Sequence, residues 1–302
     1  MKIPWFSLML AGTTAFIIVV FFGPSVIRLL AKLKFGQTIR TEGPQTHHKK
    51  AGTPTMGGVL VLFGITAGTI AGLGGNWSNN LRWTLFITIG YGLLGLLDDL
   101  LNIVFHRSLG LKARHKLLGQ VFLAGLFGLY VVHSGVMGTL IVPYFHTHLA
   151  FINPVLTFLF VVFTMVAMSN AVNLTDGLDG LAGGTTMIAG LAMGILALLQ
   201  GEMQLGIFAA ALVGACTGFI WFNAPPAQVF MGDTGALALG GALGAIGILS
   251  HTALFLPIIG GIFVAENLSV ILQVFSFKTR GKRILRMAPL HHHYELGGLS
   301  ES

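Results

Sequence analysis

Charge is what this sequence has least of: Asp, Glu, Lys and Arg fill only 9% of its 302 positions, and the mean hydropathy is +0.83. A soluble domain carries roughly 25% charged residues, so a water-soluble globular fold is excluded. Cysteine is nearly absent as well. The single Cys216 rules out a disulfide framework or a cysteine-rich metal site within one chain, and its place inside an apolar run makes it a packing residue. No cleavable leader is expected: the first apolar run far exceeds the roughly 7–15 residues of a signal-peptide core and no small-residue cleavage site follows it. That run is expected to stay in the mature protein. The net charge of +7 does not point to nucleic acid, because the basic stretches hold too few interleaved aromatics to stack bases.

What the sequence has in quantity is uncharged length. Charge-free stretches run from Ile3 to Ile27, Ala51 to Leu81, Leu117 to Thr175, Gly180 to Gly201, Met203 to Gly232 and Thr234 to Ala265, and about 20 apolar residues suffice for one crossing of a bilayer. Cutting them at polar and Pro/Gly punctuation gives nine spans, near residues 5–30, 55–74, 82–99, 117–134, 151–169, 181–200, 203–222, 234–250 and 253–276. The run from Trp83 to Leu97 is short for a span and is admitted because its neighbours need a crossing between them. The expected fold is an all-α polytopic membrane protein of about nine transmembrane helices, with residues 1–302 as one integral-membrane domain.

Lys and Arg gather in three stretches, Arg28 to Lys50, Arg107 to Lys116 and Lys278 to Arg286, which nine crossings place on one side. Only Lys2 and Arg82 fall on the other, so 15 of 17 positive charges agree, and the positive-inside rule makes their side cytoplasmic and the N-terminus external. Asp and Glu contribute little to orientation, yet all five aspartates share that side: Asp98 and Asp99 at the end of the third helix, Asp176 and Asp179 between the fifth and sixth, and Asp233 opening the eighth. A plain solvated rim would scatter acidic residues over both faces, and only Glu202 lies in an outer loop.

Adjacent Asp98 and Asp99 diverge by about 100° on a helix, so they are expected to differ in role, one handling a proton or a phosphate-bound metal and the other orienting a neighbour. The run Asn170-Ala-Val-Asn173-Leu-Thr-Asp176-Gly177-Leu178-Asp179-Gly reads as a polar loop whose amides suit a nucleobase or sugar and whose glycines admit a ligand; Asp179 equally suits an N-cap of the next helix. Phe230-Met-Gly-Asp233-Thr-Gly precedes a helix, where N–H groups favour anions, though Asp233 or Thr234 can cap there instead. It lacks the Gly-Lys-Ser/Thr ending of a P-loop. Hard carboxylate oxygens suit magnesium, which takes one or two of them plus substrate phosphates.

Three successive histidines, His291, His292 and His293, rarely converge on one ion, and contacts to a pyrophosphate suit them better than a zinc site. His47-His48 reads as loop surface. Lys49-Lys50-Ala-Gly-Thr-Pro-Thr55-Met-Gly-Gly offers cations and hydroxyls for a phosphate or uracil at the mouth of the second helix. Glu266 and Asn267 lie inside the ninth apolar segment, nine residues after Pro257, where an ionisable residue is a functional candidate; a polar side turned to a groove explains it best.

In this order, Lys-Phe-Gly-Gln-Thr-Ile-Arg (34–40), Glu-Gly-Pro-Gln (42–45), Gly-Thr-Pro-Thr-Met-Gly-Gly (52–58), Asp98-Asp99, Asn-Leu-Thr-Asp-Gly-Leu-Asp-Gly (173–180), Val-Phe-Met-Gly-Asp-Thr-Gly (229–235) and Pro-Leu-His-His-His (289–293) resemble the bacterial phospho-N-acetylmuramoyl-pentapeptide transferases, a polyprenyl-phosphate N-acetylhexosamine-1-phosphate transferase family. The resemblance spans residues from about 20 to 296. It implies transfer of phospho-MurNAc-pentapeptide from UDP-MurNAc-pentapeptide to undecaprenyl phosphate, giving lipid I and UMP for peptidoglycan, with magnesium, at the cytoplasmic face of the bacterial inner membrane. It also implies membrane lipid around the chain, no nucleic acid, and allows a homodimer.

Residue by residue, Asp233 matches the magnesium-binding carboxylate and Asp98 and Asp99 the catalytic pair. Lys50, Thr55, Asn170, Asn173, Asp176, Gly177, Leu178, Asp179, Asn223 and Phe230 match the nucleoside-diphosphate pocket. Lys116 and His291 to His293 match residues of phosphate handling and activity, and Glu266 is expected to line the lipid-tail groove. The family follows its histidine loop with a last membrane helix, whereas this sequence stops at Gly-Gly-Leu-Ser-Glu-Ser (297–302), so that helix is expected to be missing.

Both a direct attack after Asp98 accepts a proton and a phospho-aspartyl intermediate are compatible with these residues. A transferase using UDP-N-acetylglucosamine is the nearest alternative; the three histidines and the Gly-Thr-Pro-Thr-Met-Gly-Gly run favour the muramyl substrate. A cation-coupled transporter using Glu266 and the aspartates would place its sites near mid-bilayer at a repeat interface, whereas the aspartates sit at one surface and the sequence shows no internal repeat.

Overall fold

In a bilayer an unpaired backbone N–H or C=O costs several kcal/mol, so apolar segments of this length fold as helices. In the computed structural model, residues 4–33, 52–105, 110–145, 147–150 and 153–300 are described. They form α1 (Trp5–Lys32), α2 (Gly58–Leu73), α3 (Asn79–Val104), α4 (Ala113–Ser134), α5 (Pro154–Thr175), α6 (Leu181–Leu199), α7 (Met203–Asn223), α8 (Gly232–Leu249), α9 (Leu256–Ile259), α10 (Gly261–Arg280) and α11 (Leu290–Glu295). Among the described residues, eight helices, all but α2, α9 and α11, are long and apolar enough to cross a membrane. The chain is an all-α polytopic membrane protein.

The nine expected spans are all helical, with three differences. First, α2 has 16 residues, about 24 Å at 1.5 Å per residue, less than a straight crossing needs. Second, the short third span is a 26-residue helix. Ser78 caps its start by accepting the Leu81 N–H, and it runs on past the aspartates to Val104, so Asp98 and Asp99 do not end it. Third, residues 253–276 are not one helix: a 3-10 turn (Ala253–Phe255) and α9 stop at Gly260, three residues after Pro257, before α10 begins.

The core is built round α8, whose residues Thr234 to Leu249 are all buried. Its neighbours are α3, α5, α2 and α6, while α1 packs on α7 and α2, α4 on α5, and α10 on α5. Small residues permit this spacing; a Cβ on Gly240 would stand 2.6 Å from the Met168 carbonyl oxygen of α5.

A feature the sequence reading leaves as plain connection is a hairpin between α4 and α5. Strands β1 (Thr139–Val142) and β2 (Thr147–Ala150) pair antiparallel, Thr139 opposite Ala150. Ile141 N–H donates to the His251 carbonyl at 3.0 Å and His251 Nδ1 lies 2.9 Å from the Thr139 carbonyl, tying the hairpin to the end of α8 remote from Asp233.

Candidate active site

Helical phase separates the two adjacent aspartates of α3, as their spacing leads one to expect. Asp98 accepts the Leu111 backbone N–H on Oδ1 at 2.8 Å and turns Oδ2 toward Lys116, 4.0 Å from its Nζ. Asp99 turns the other way, to the start of α8: it accepts Asp233 N–H at 3.1 Å, Thr234 N–H at 3.0 Å and the Thr234 hydroxyl at 2.6 Å. No side chain of the 230–235 run caps α8, so neither Asp233 nor Thr234 is its N-cap; Asp99, from another helix, takes that place.

Three oxygens gather round one cation. The Lys116 ammonium bonds to Asp233 Oδ2, lies 3.3 Å from Asn173 Oδ1 and 4.0 Å from Asp98 Oδ2. The other Asp233 oxygen accepts Asn173 Nδ2 at 2.6 Å. Sequence reading puts Asn170 and Asn173 in a loop, but α5 continues to Thr175 and sets both on its last turns, three residues apart on one face. Asn170 is paired with Gln120 of α4, its Nδ2 donating to Gln120 Oε1 at 2.9 Å, behind the aspartates. An all-oxygen set already surrounding a positive charge is the donor chemistry of a hard cation. Among the described residues no three His, Cys, Asp or Glu side chains form a metal cluster of their own, so the set is two carboxylates and an amide.

Asp176 follows α5 immediately and joins this charge. Burial pushes its carboxyl up to about 8, helped by the charges of Asp233 and Asp99 and opposed by a hydrogen bond from the Gly232 backbone.

The glycine runs bring backbone to backbone. Phe230 N–H donates to the Pro54 carbonyl at 2.8 Å, and Gly57 and Gly58 N–H donate to the Phe230 and Met231 carbonyls, each at 2.9 Å. Thr55 is thereby buried beside Gly232, where a Cβ would stand 2.7 Å from Asp99 Oδ2 and 2.9 Å from Thr55 Oγ1. Gly232 also has φ of +73°, so it is required twice over. Asn223 is a clamp: it accepts Gly180 N–H at 3.0 Å and donates to the Val229 carbonyl at 2.8 Å, joining the connection after α5 to the one after α7. Asp179 does not cap α6; it accepts Ala227 N–H at 3.0 Å across the same gap.

The three histidines diverge, as three consecutive residues should. His291 is buried, with its backbone N–H 3.2 and 3.3 Å from the Glu266 oxygens and Nδ1 3.2 Å from Glu266 Oε2. His292 Nδ1 lies 3.2 Å from Glu295 Oε2, and His293 Nδ1 accepts the Arg286 N–H at 3.1 Å. Glu266 borders a cavity of about 250 Å³ with Leu178, Leu181 and Tyr294, but its carboxylate is turned to His291. Gly177 lies against the imidazole; a Cβ there would be 2.2 Å from Nε2.

Lys50 and the 34–45 motifs lie outside the described residues. Sequence reasoning passes over Gln120, Leu111 and Gly95. Gln120 carried a usable signal, an amide inside an apolar helix. Leu111 acts through its backbone, and Gly95 only through lacking a Cβ, which would stand 2.1 Å from the Asp233 carbonyl oxygen.

Comparison with known proteins matches the segments that carry these residues. Residues 81–251, which carry the aspartates, Lys116 and the asparagines, match the family described as Glycosyl transferase family 4. Residues 50–62, which include Thr55 and the glycine pair against Phe230, match Phospho-N-acetylmuramoyl-pentapeptide-transferase signature 1. The chain is 52% identical over 288 residues to the phospho-N-acetylmuramoyl-pentapeptide-transferase of Bacillus pumilus, covering 95% of this chain and 88% of that protein. Identity is 53% over 292 residues with that of Bacillus licheniformis, covering 95% and 88%, and 49% over 303 residues with that of Geobacillus kaustophilus, covering 98% and 91%. With a whole-chain likeness of this degree and the signature segment folded against the aspartate cluster, the chain belongs to the phospho-N-acetylmuramoyl-pentapeptide-transferase family of enzymes.

Proposed function

We propose that this chain transfers phospho-MurNAc-pentapeptide from UDP-MurNAc-pentapeptide to undecaprenyl phosphate, releasing UMP and forming lipid I, at the cytoplasmic face of a bacterial inner membrane. The observation that carries this reading is the convergence of Asp98, Asn173 and Asp233 oxygens on the Lys116 ammonium, beside the segments that define the family.

The reaction joins two phosphates whose charges repel. Asp233, with the Asn173 amide beside it, would hold magnesium, which would supply charge neutralisation to the pyrophosphate. Lys116 holds phosphate charge from the α4 side. Asp98, with Oδ1 engaged by Leu111 and Oδ2 turned inward, accepts the proton of the undecaprenyl phosphate. The freed oxygen forms a bond to the sugar-linked phosphorus, the bond from that phosphorus to the oxygen of UMP breaks, and UMP departs with the electron pair. Asn173 and Asp176 orient the nucleoside diphosphate, with Thr55, Leu178 and Phe230 shaping its pocket. His291 to His293 support the same phosphates, Glu266 holding His291 in place. The basic stretches on the same side support a cytoplasmic site by the positive-inside rule.

Purified protein in detergent micelles with magnesium is expected to release UMP from UDP-MurNAc-pentapeptide only when undecaprenyl phosphate is added. A folded preparation that releases none overturns the assignment, and equal turnover with UDP-N-acetylglucosamine overturns the muramyl specificity.

A further inference from the structure

Asp99 is next to Asp98 in sequence but not in chemistry. Its side chain is buried, and both oxygens are already spent: Oδ1 accepts Asp233 N–H at 3.1 Å, and Oδ2 accepts Thr234 N–H at 3.0 Å and the Thr234 hydroxyl at 2.6 Å. A helix leaves its first N–H groups without intrahelical partners and gathers positive partial charge there. A carboxylate supplied by a neighbouring helix satisfies two of those groups at once, and with a charge of the favourable sign. The same turn is closed in on its other sides. Gly95, one turn before Asp99 on α3, has no room for a Cβ against the Asp233 carbonyl, and Gly232 has none against Asp99 itself. Asp233 therefore projects from a turn whose backbone is gripped by α3 at its N–H and packed by α3 at its carbonyl.

We infer that Asp99 is a positioning residue which acts through the first turn of α8, fixing the Asp233 carboxylate, and does not itself touch metal or phosphate. The inference rests on the reading of Asp233 as the metal-holding carboxylate. It divides the Asp98-Asp99 pair: Asp98 faces the reacting groups, and Asp99 fixes the direction in which Asp233 presents its oxygens. Thr234 shares the role, since its hydroxyl bond to Asp99 holds the carboxylate across the helix terminus.

The test is Mn²⁺ binding to the full chain in micelles, read by electron paramagnetic resonance without substrate, with folding followed by size-exclusion chromatography. Partners that orient a metal ligand affect affinity by about 10–100-fold. Asp99→Asn puts an N–H₂ group against a backbone N–H and is expected to weaken Mn²⁺ binding within that range. Thr234→Val, which removes a hydroxyl that is bonded to Asp99 and is not one of the oxygens round Lys116, is expected to weaken it at least threefold, while Thr234→Ser, which keeps the hydroxyl, stays within twofold of wild type. The double variant Asp99→Asn/Thr234→Val is expected to be no weaker than Asp99→Asn alone, because both act through one turn.

If Asp99 instead contacts the metal directly, Thr234→Val binds like wild type, or the two effects multiply, and the inference is overturned. Should Asp99→Asn fail to fold, the Thr234→Val and Thr234→Ser pair decides: equal affinities overturn it, and a loss confined to valine supports it. Mn²⁺ binding that is indifferent to Asp233→Asn overturns the metal reading and this inference together, whereas dependence on Asp233 without dependence on Thr234 overturns this inference alone.

Discussion

Glu266 and His291 face one another inside the protein, the carboxylate receiving the His291 backbone N–H at 3.2 and 3.3 Å while Nδ1 stands 3.2 Å from Oε2. A residue of α10 thus fixes the start of α11, and through it the imidazole that lies against Gly177.

Removing that carboxylate leaves a buried N–H without an acceptor, at a cost of about 1–3 kcal/mol. Glu266→Ala is therefore expected to lower the thermal midpoint in detergent and to reduce UMP release. Glu266→Gln, which keeps an acceptor oxygen, should lose less of both. Equal midpoints for the alanine variant and wild type would show that this contact does not hold α11.

Two glycine substitutions should have opposite signs. Gly95→Ala drives a methyl to 2.1 Å from the Asp233 carbonyl oxygen, and overpacking of this kind costs about 1–3 kcal/mol. Gly184 lies in α6, and a methyl on it would meet nothing within 4 Å, so Gly184→Ala should gain about 0.5–1 kcal/mol. Thermal unfolding of the two variants side by side checks both signs, and a neutral Gly95→Ala would contradict the close approach of α3 to α8.

Asp176 gives a pH dependence of defined direction. Burial and the neighbouring charges of Asp233 and Asp99 push its carboxyl up to about 8, from an ordinary 3.8, so the folded chain binds this proton more tightly than the unfolded chain does. Its contribution to stability is fully present below about pH 4 and is lost as pH rises through about 8. Without added metal, the wild-type midpoint should fall between about pH 4 and 8 more steeply than that of Asp176→Asn. Parallel curves would show that the group does not carry the dependence.

Chelation separates the cation from the scaffold. Ethylenediaminetetraacetate should abolish UMP release and added Mg²⁺ restore it, whereas Asp233→Asn should remain inactive at the same Mg²⁺ concentration. Full recovery of the variant would remove Asp233 from the cation site.

The sequence makes the aspartate-bearing end of this molecule legible because carboxylates stand out where almost nothing else is charged. The different directions of Asp98 and Asp99 follow from helical divergence, but which of them faces Lys116 is not legible: it depends on where α8 starts and on the packing of α3 against it. The asparagines are misread as a loop because polar residues interrupt an apolar run, whereas Asn170 and Asn173 are helical and find partners on α4 and α8. The His291 environment is hidden for a different reason, its partner Glu266 lying 25 residues away on another helix. The 139–150 hairpin escapes an account based on hydropathy, since two four-residue strands leave no trace at the window length of a membrane span.

The sheath around α8 has a mechanical meaning. Protein covers 89% of its most apolar stretch, compared with 22% for α1 and for α10. Helices that face lipid answer a thinner or thicker bilayer by tilting, but α8 meets lipid only through its neighbours. The carboxylate at its tip is therefore referenced to protein and not to the membrane, and the aspartate cluster keeps its internal dimensions while the outer helices adapt to whatever lipid surrounds them.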